Sequence, residues 1–290
     1  MIGLLLKAMR PKQWIKNLLL FAGILFSQKL LDGTSFLKAF LGFAAFCMLS
    51  SAEYLVNDLL DLEKDRSHPV KKHRPLASGA ISPAAAIALA VVLFAAGLLL
   101  AFRLRPQFGW VALFYAVMML AYSFRLKHIV IVDVIIIASG FVMRAIAGAL
   151  VVNVTISSWL LVCTIFGALF LGMCKRRYEI VLMGEEARNH RKILGEYTPY
   201  LLDQMISVVT ASTVMAYALY TMAGDTIQKF GSRNLVFTIP FVLYGIFRYL
   251  YLVHQKNMGG SPEMIFLKDR SMIVNICLYL ITAGVIIYSH

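Results

Sequence analysis

The sequence predicts an all-α fold: a polytopic membrane bundle of nine transmembrane helices, built as a single domain over residues 1–290. Three observations predict it. Hydrophobic residues make up 60% of the chain and charged residues only 15%, far from the averages of soluble proteins. Apolar stretches long enough to cross a bilayer recur along its length. The basic residues gather in alternate connections between those stretches.

The spans lie at roughly 14–31, 35–57, 82–102, 108–124, 129–152, 156–174, 201–224, 234–253 and 271–289. The first contains Lys16 and no small-residue cleavage site follows it, so it reads as a retained span and not as a cleaved leader. The second ends on Asn57, with Asp58 next. A short connection with Arg103 and Arg105 separates the third from the fourth, and the fifth encloses Asp133 and Arg144. The sixth stops at Lys175, and the last begins just after Asp269 and Arg270. Lipid offers no partner to an open sheet edge, so all nine read as helices of one bundle.

The net charge is +13. Its placement marks topology, and no nucleic-acid partner is expected. Lys7, Arg10, Lys12 and Lys16 stand at the N-terminus; Lys64, Arg66, Lys71, Lys72 and Arg74 follow the second span. Arg125 and Lys127 follow the fourth, Lys175, Arg176, Arg177, Arg188, Arg191 and Lys192 the sixth, and Lys256, Lys268 and Arg270 the eighth. The opposite side holds only Lys29, Lys38, Arg103, Arg105, Lys229 and Arg233. The positive-inside rule then puts the N-terminus in the cytoplasm and the C-terminus outside an inner (plasma) membrane. The lipid bilayer is the implied partner, and a homo-oligomer is compatible with the pattern. Cys47, Cys163, Cys174 and Cys277 are scattered through the spans and read as packing residues. No Walker-type glycine loop and no zinc-binding His pair is present in the sequence.

The stretch "NDLLDLEKDR", Asn57 to Arg66, carries the chemistry. On a helix Asn57, Asp58, Asp61 and Asp65 fall within an arc of about 100°. Three like charges on one face repel and need a compensating cation. Hard oxygen ligands without His or Cys suit Mg²⁺, which keeps several waters and bridges to phosphate oxygens. A solvated helix end with i,i+4 pairs accounts for Glu63 and Lys64. It does not account for acids gathered on one face where the helix leaves the membrane.

The motif NDxxDxxxD at the end of the second span, followed by Arg74, Pro75, Leu76 and Gly79 as RPLxxG, resembles the UbiA superfamily of intramembrane transferases. The resemblance covers nearly the whole chain. It implies a UbiA-like bundle, Mg²⁺ as cofactor and a diphosphate substrate. One departure narrows it. Members acting on aromatic acceptors carry a second aspartate-rich motif after the sixth helix, where this chain reads "MCKRRYEIVL". A basic cluster there binds phosphate directly. Together with "RPKQWIKN", "AYSFRLKH", "RAIAG" and "GSPEMIFLKDR", this is similar to the decaprenyl-phosphate phosphoribosyltransferase branch of arabinogalactan precursor synthesis.

That branch implies phosphoribosyl pyrophosphate as donor and polyprenyl (decaprenyl) phosphate as acceptor, with diphosphate released at the cytoplasmic face. Asp58, Asp61 and Asp65 are then the catalytic metal ligands or partners of ligand waters, and Asn57 orients the diphosphate. Lys175 and Arg176 become phosphate binders, with Glu179 one turn after Lys175, placed to orient it or to touch a second ion. Arg10 and Lys16, beside Trp14, become phosphate ligands; Lys71 and Arg74 could cover the ribose 5-phosphate. Tyr122 and Lys127 end the fourth span at the same membrane face, where Lys127 also reads as a topology charge. Asp133 and Arg144 share a face but lie about 16 Å apart along the axis, too far for an ion pair. A polar partner on a neighbouring helix is the expected neighbour of Arg144, and Asp133 could reach substrate hydroxyls. Asp269 reads as a helix-start charge, and His68, His73 and His128 as loop or interface residues. Two other classes stay open: prenyl transfer from a diphosphate to a small aromatic acceptor, and lipid transport. Transport would place charges inside several helices.

Overall fold

The computed structural model describes residues 2–67, 70–183, 192–256, 258–260 and 262–288. Arg188, Arg191 and His68, named above, lie outside them. All regular structure among the described residues is helical. Eight helices there are long and apolar enough to cross a membrane: Gly33–Leu60, Pro83–Leu104, Pro106–Phe124, Val132–Val151, Ser158–Leu182, Pro199–Met222, Asn234–Gln255 and Arg270–Tyr288. The protein is a multi-pass membrane protein.

Eight of the nine expected spans are therefore met. The exception is the first. After α1 (Ile2–Ala8), residues Pro11–Leu20 form a 3₁₀ helix, and α2 (Phe21–Phe26) adds only six residues. This strap lies backbone-to-backbone on α7 (Val132–Val151). A β-carbon at Gly148 would run into the Leu20 carbonyl, and one at Gly23 would meet the Ala149 backbone at 2.9 Å. Its apolar residues match a membrane span in composition, but they are spent on a neighbour.

The other helices start where their sequences say. Asp32 caps α3 (Gly33–Leu60) by accepting from Ser35 N at 3.0 Å. Ser82 caps α5 (Pro83–Leu104), and Thr198 caps the helix at Pro199; both precede a proline at the first helical position. Asp269 accepts from Met272 N at 2.8 Å at the start of the last helix, the helix-start role read from sequence.

The described residues group into two compact units, Met1–Ile156 and Ser157–His290. In the first, α3 is central. It packs against α5, α6 (Pro106–Phe124), α7 and the strap, and α4 (Leu62–Ser67) follows it after one turn residue. Phe46, Leu49, Phe108 and Tyr115 fill the core between these helices. In the second unit α8 (Ser158–Met183) packs on α9 (Pro199–Met222). Beyond α10 (Gly224–Phe230), α11 (Ile239–Gln255) packs on α9 and on α13 (Arg270–Tyr288), which follows the short α12 (Pro262–Lys268). Arg248 Nη2 pairs with Asp269 Oδ2 at 2.8 Å and ties α11 to the start of α13. The guanidinium holds the Asp269 carboxyl below its ordinary value.

Candidate active site

The acids lie at the end of α3. Helix α3 stops at Leu60 and α4 begins at Leu62, yet the i→i−4 ladder continues: Asp61 N bonds Asn57 O at 3.0 Å and Asp65 N bonds Asp61 O at 2.8 Å. The four residues thus keep the helical spacing expected of them. Asp58 and Asp65 are only 4% and 3% exposed.

Cationic side chains from distant parts of the unit compensate the acids. Arg10, at the entrance to the strap, donates to Asp58 Oδ1. Arg74 Nη1 donates to that same oxygen at 3.0 Å and also to Asp65 Oδ2, bridging two carboxylates. Lys127 Nζ reaches Asp61 Oδ1 at 2.9 Å, Asp61 Oδ2 at 3.1 Å and Asn57 Oδ1 at 3.4 Å. Lys127 is 5% exposed. Its loop turns sharply into α7 at Ile131, whose φ of 68° is rare for a β-branched residue. Tyr122 is buried in the last turn of α6; Lys16 and Lys71 are half-buried, on the strap and on the single turn Lys71–His73.

No group of three His, Cys, Asp or Glu stands together as a ready metal cage among the described residues. The donor set still fits a small divalent ion by chemistry: three carboxylates and an amide, oxygen donors throughout. The present pairing sets a condition. Arg74 holds Asp58 and Asp65, so an ion on those oxygens must displace or adjoin its guanidinium.

In the second unit α8 carries Lys175, Arg176, Arg177 and Glu179. Arg176 is 2% exposed, and its Nη1 donates to Glu179 Oε2 at 2.8 Å, one turn along the same helix. Arg177 pairs with Asp203 on α9. His254 on α11 places Nε2 at 3.3 Å from the same Asp203 oxygen and Nδ1 at 3.0 Å from the Leu250 carbonyl.

A model of the UbiA prenyltransferase family matches residues 18–268. The chain belongs to this family. It is 34% identical over 98% of its length to a decaprenyl-phosphate phosphoribosyltransferase of Mycolicibacterium smegmatis, of which it covers 92%. A Mycobacterium tuberculosis protein of the same name is 35% identical over 96% of this chain and is covered to 92%. Among solved structures, a UbiA homologue from Archaeoglobus fulgidus bound to GPP and Mg²⁺ has a TM-score of 0.75 at 19% identity, covering 98% of this chain and 99% of that one. An apo homologue from Aeropyrum pernix K1 gives 0.67 at 17% identity, covering 97% and 99%. These structural likenesses establish the UbiA fold.

Within this UbiA-family chain the structure also brings forward residues the sequence reading passed over. Asp203 and His254 form one cluster with Arg177 of the basic stretch; Asp203, an acid within an apolar span, was the available signal. Glu53 was a second such signal, one turn before Asn57. It is buried, its Oε2 accepts from Tyr115 Oη at 3.0 Å, and its Oε1 has no hydrogen-bond partner among the described residues. Arg144 finds the expected polar partners on neighbouring elements, and Asp133 is fully buried in the first turn of α7.

Proposed function

We propose that the chain, acting as a single transferase domain over residues 1–290, moves the 5-phosphoribosyl group of phosphoribosyl pyrophosphate onto polyprenyl phosphate. The observation that carries this reading is the α8 cluster. Where UbiA enzymes for aromatic acceptors place a second pair of aspartates, this chain presents Lys175 and a buried Arg176. Fixed cations suit monophosphates, and this reaction has two of them: the donor's 5-phosphate and the acceptor's head group. The names of the mycobacterial relatives point the same way.

An oxygen of the polyprenyl phosphate attacks the anomeric carbon. The bond from that carbon to the diphosphate oxygen breaks, and its electron pair leaves with diphosphate. The nucleophile is already an anion, so no general base is required. Asp58, Asp61 and Asp65 would hold Mg²⁺, with Asn57 orienting the diphosphate. Bound Mg²⁺ stabilises the charge that develops on the leaving group. Arg10, Arg74 and Lys127, now shared among the carboxylates, become donors to phosphate oxygens when ligand enters. Lys16, Lys71 and Tyr122 line the approach, and Lys175 and Arg176, steadied by Glu179, grip a monophosphate. The site faces the cytoplasm of the plasma membrane, and the product feeds cell-wall arabinan or a related glycolipid precursor.

The test is purified protein with polyprenyl phosphate, Mg²⁺ and phosphoribosyl pyrophosphate, scored by diphosphate release and by a phosphoribosyl lipid product. The same preparation given a polyprenyl diphosphate and an aromatic acid tests the alternative. Prenylated acid in the second assay, with no product in the first, overturns the proposal.

A further inference from the structure

A buried run of hydrogen bonds crosses the first unit. Arg144, 5% exposed, donates from Nε to Asn17 Oδ1 at 2.7 Å, from Nη1 to the Gly140 carbonyl at 2.8 Å and from Nη2 to Tyr115 Oη at 2.7 Å. Tyr115 passes the connection to Glu53. Asn17 Nδ2 donates to Ser50 Oγ at 3.2 Å and Cys47 Sγ at 3.3 Å. Strap, α6 and α7 thus meet at one guanidinium, and α3 joins through Tyr115 and Asn17. The cation also stacks 4.8 Å from the Tyr115 ring centroid. The run ends on the buried Glu53, which accepts from Tyr115 Oη at 3.0 Å.

The strap's other attachment to α7 is the close backbone contact at Gly148 and Gly23. Such a contact fixes separation but only weakly fixes register, because a smooth surface slides. Directional bonds at Asn17 fix register at its far end, as the bonds of Ser51 to Trp14 and to the Met9 carbonyl do nearer Arg10. Arg10 lies seven residues before Asn17, about 14 Å along a 3₁₀ helix rising 2.0 Å per residue. A slip of one residue would carry the Arg10 guanidinium about 2 Å, out of hydrogen-bond reach of Asp58. Trp14 sits between the two ends and donates to Ser51 Oγ on α3 at 3.0 Å.

We propose that Arg144 is a positioning residue: through Asn17 it sets the register of the strap and so places Arg10 against Asp58. The seating claim stands on geometry alone; its kinetic consequence rests on the function proposed above.

Trp14 supplies a direct readout. Replacing the other two tryptophans, Trp110→Phe and Trp159→Phe, leaves it as the sole emitter. In that background Arg144→Met, and the milder Asn17→Ala, should move Trp14 emission and raise its quenching by acrylamide. Asn17→Asp, which keeps the acceptor for Arg144 Nε, should leave both near the parent. Where Arg144→Met fails to fold, Asn17→Ala decides. In the diphosphate-release assay Asn17→Ala should raise the KM for phosphoribosyl pyrophosphate roughly tenfold, the scale of one lost charge-assisted bond. Combined with Arg10→Ala it should add little, because both act on one contact. Unchanged Trp14 emission in folded Asn17→Ala, or effects that multiply with Arg10→Ala, overturns the proposal. If the parent releases no diphosphate, the proposed function has failed while Trp14 still decides the seating.

Discussion

The two charged clusters are built on different plans. At the end of α3, three carboxylates meet three cations, Arg10, Arg74 and Lys127, that come from 9 to 66 residues away. On α8 the buried Arg176 is held by Glu179 one turn away. Arg177 beside it pairs with Asp203 on α9. The first cluster is assembled from segments far apart in the chain; the second is laid out along one helix and its neighbour.

The sharpest way to break this contrast is at the acids. Asp58→Asn or Asp61→Asn should cut turnover by roughly 10²-fold or more, the scale of losing a principal electrostatic contact in the transition state. Near-parent rates in the folded variants would remove the acids from the chemistry. At the other cluster, Lys175→Ala and Arg176→Ala should raise the KM for a phosphate-bearing substrate roughly tenfold and leave the Mg²⁺ requirement unchanged. Titrating each substrate in turn identifies which phosphate is held, and two flat titrations would reduce these residues to topology charges. Arg74→Ala probes the bridge itself. With the bridging guanidinium gone, the Mg²⁺ concentration for half-maximal rate should fall several-fold while the donor KM rises; a higher Mg²⁺ requirement would mean that Arg74 supports the ion. The smallest effect belongs to a pair outside both clusters. Asp269→Asn keeps a capping oxygen and loses the charge facing Arg248, at a cost of about 0.5–1 kcal/mol. Because the carboxyl's folded value lies below its ordinary one, this contribution is present above about pH 4 and fades as pH falls further. Thermal melting of parent and variant across that range should converge at the acid end.

Much of this was legible in the sequence, for physical reasons. Asp32, Ser82 and Thr198 announce helix starts because their side chains satisfy amides that the helix itself leaves bare. Asn57, Asp58, Asp61 and Asp65 declared a shared face through spacing alone. The strap was not legible: composition registers transfer to an apolar setting and does not distinguish lipid from the flank of α7. Only Gly23 and Gly148, in contact across the fold, mark the difference. Nor could spacing pair Glu53 with Tyr115, 62 residues away. The acidic face was visible, but the way Arg74 divides it was not, because that bond depends on how the chain returns after α4.

Arg10 has a further consequence for anyone improving this protein by selection. Its backbone is left-handed, with φ 54° and ψ 61°, immediately before Pro11. A side chain there costs about 1 kcal/mol that glycine would not. Arg10→Gly would relieve that strain but take the guanidinium from buried Asp58, and breaking a buried pair costs about 3–5 kcal/mol, the larger of the two. Stability and activity therefore ask for the same residue at this codon, and a screen for either keeps the strained arginine.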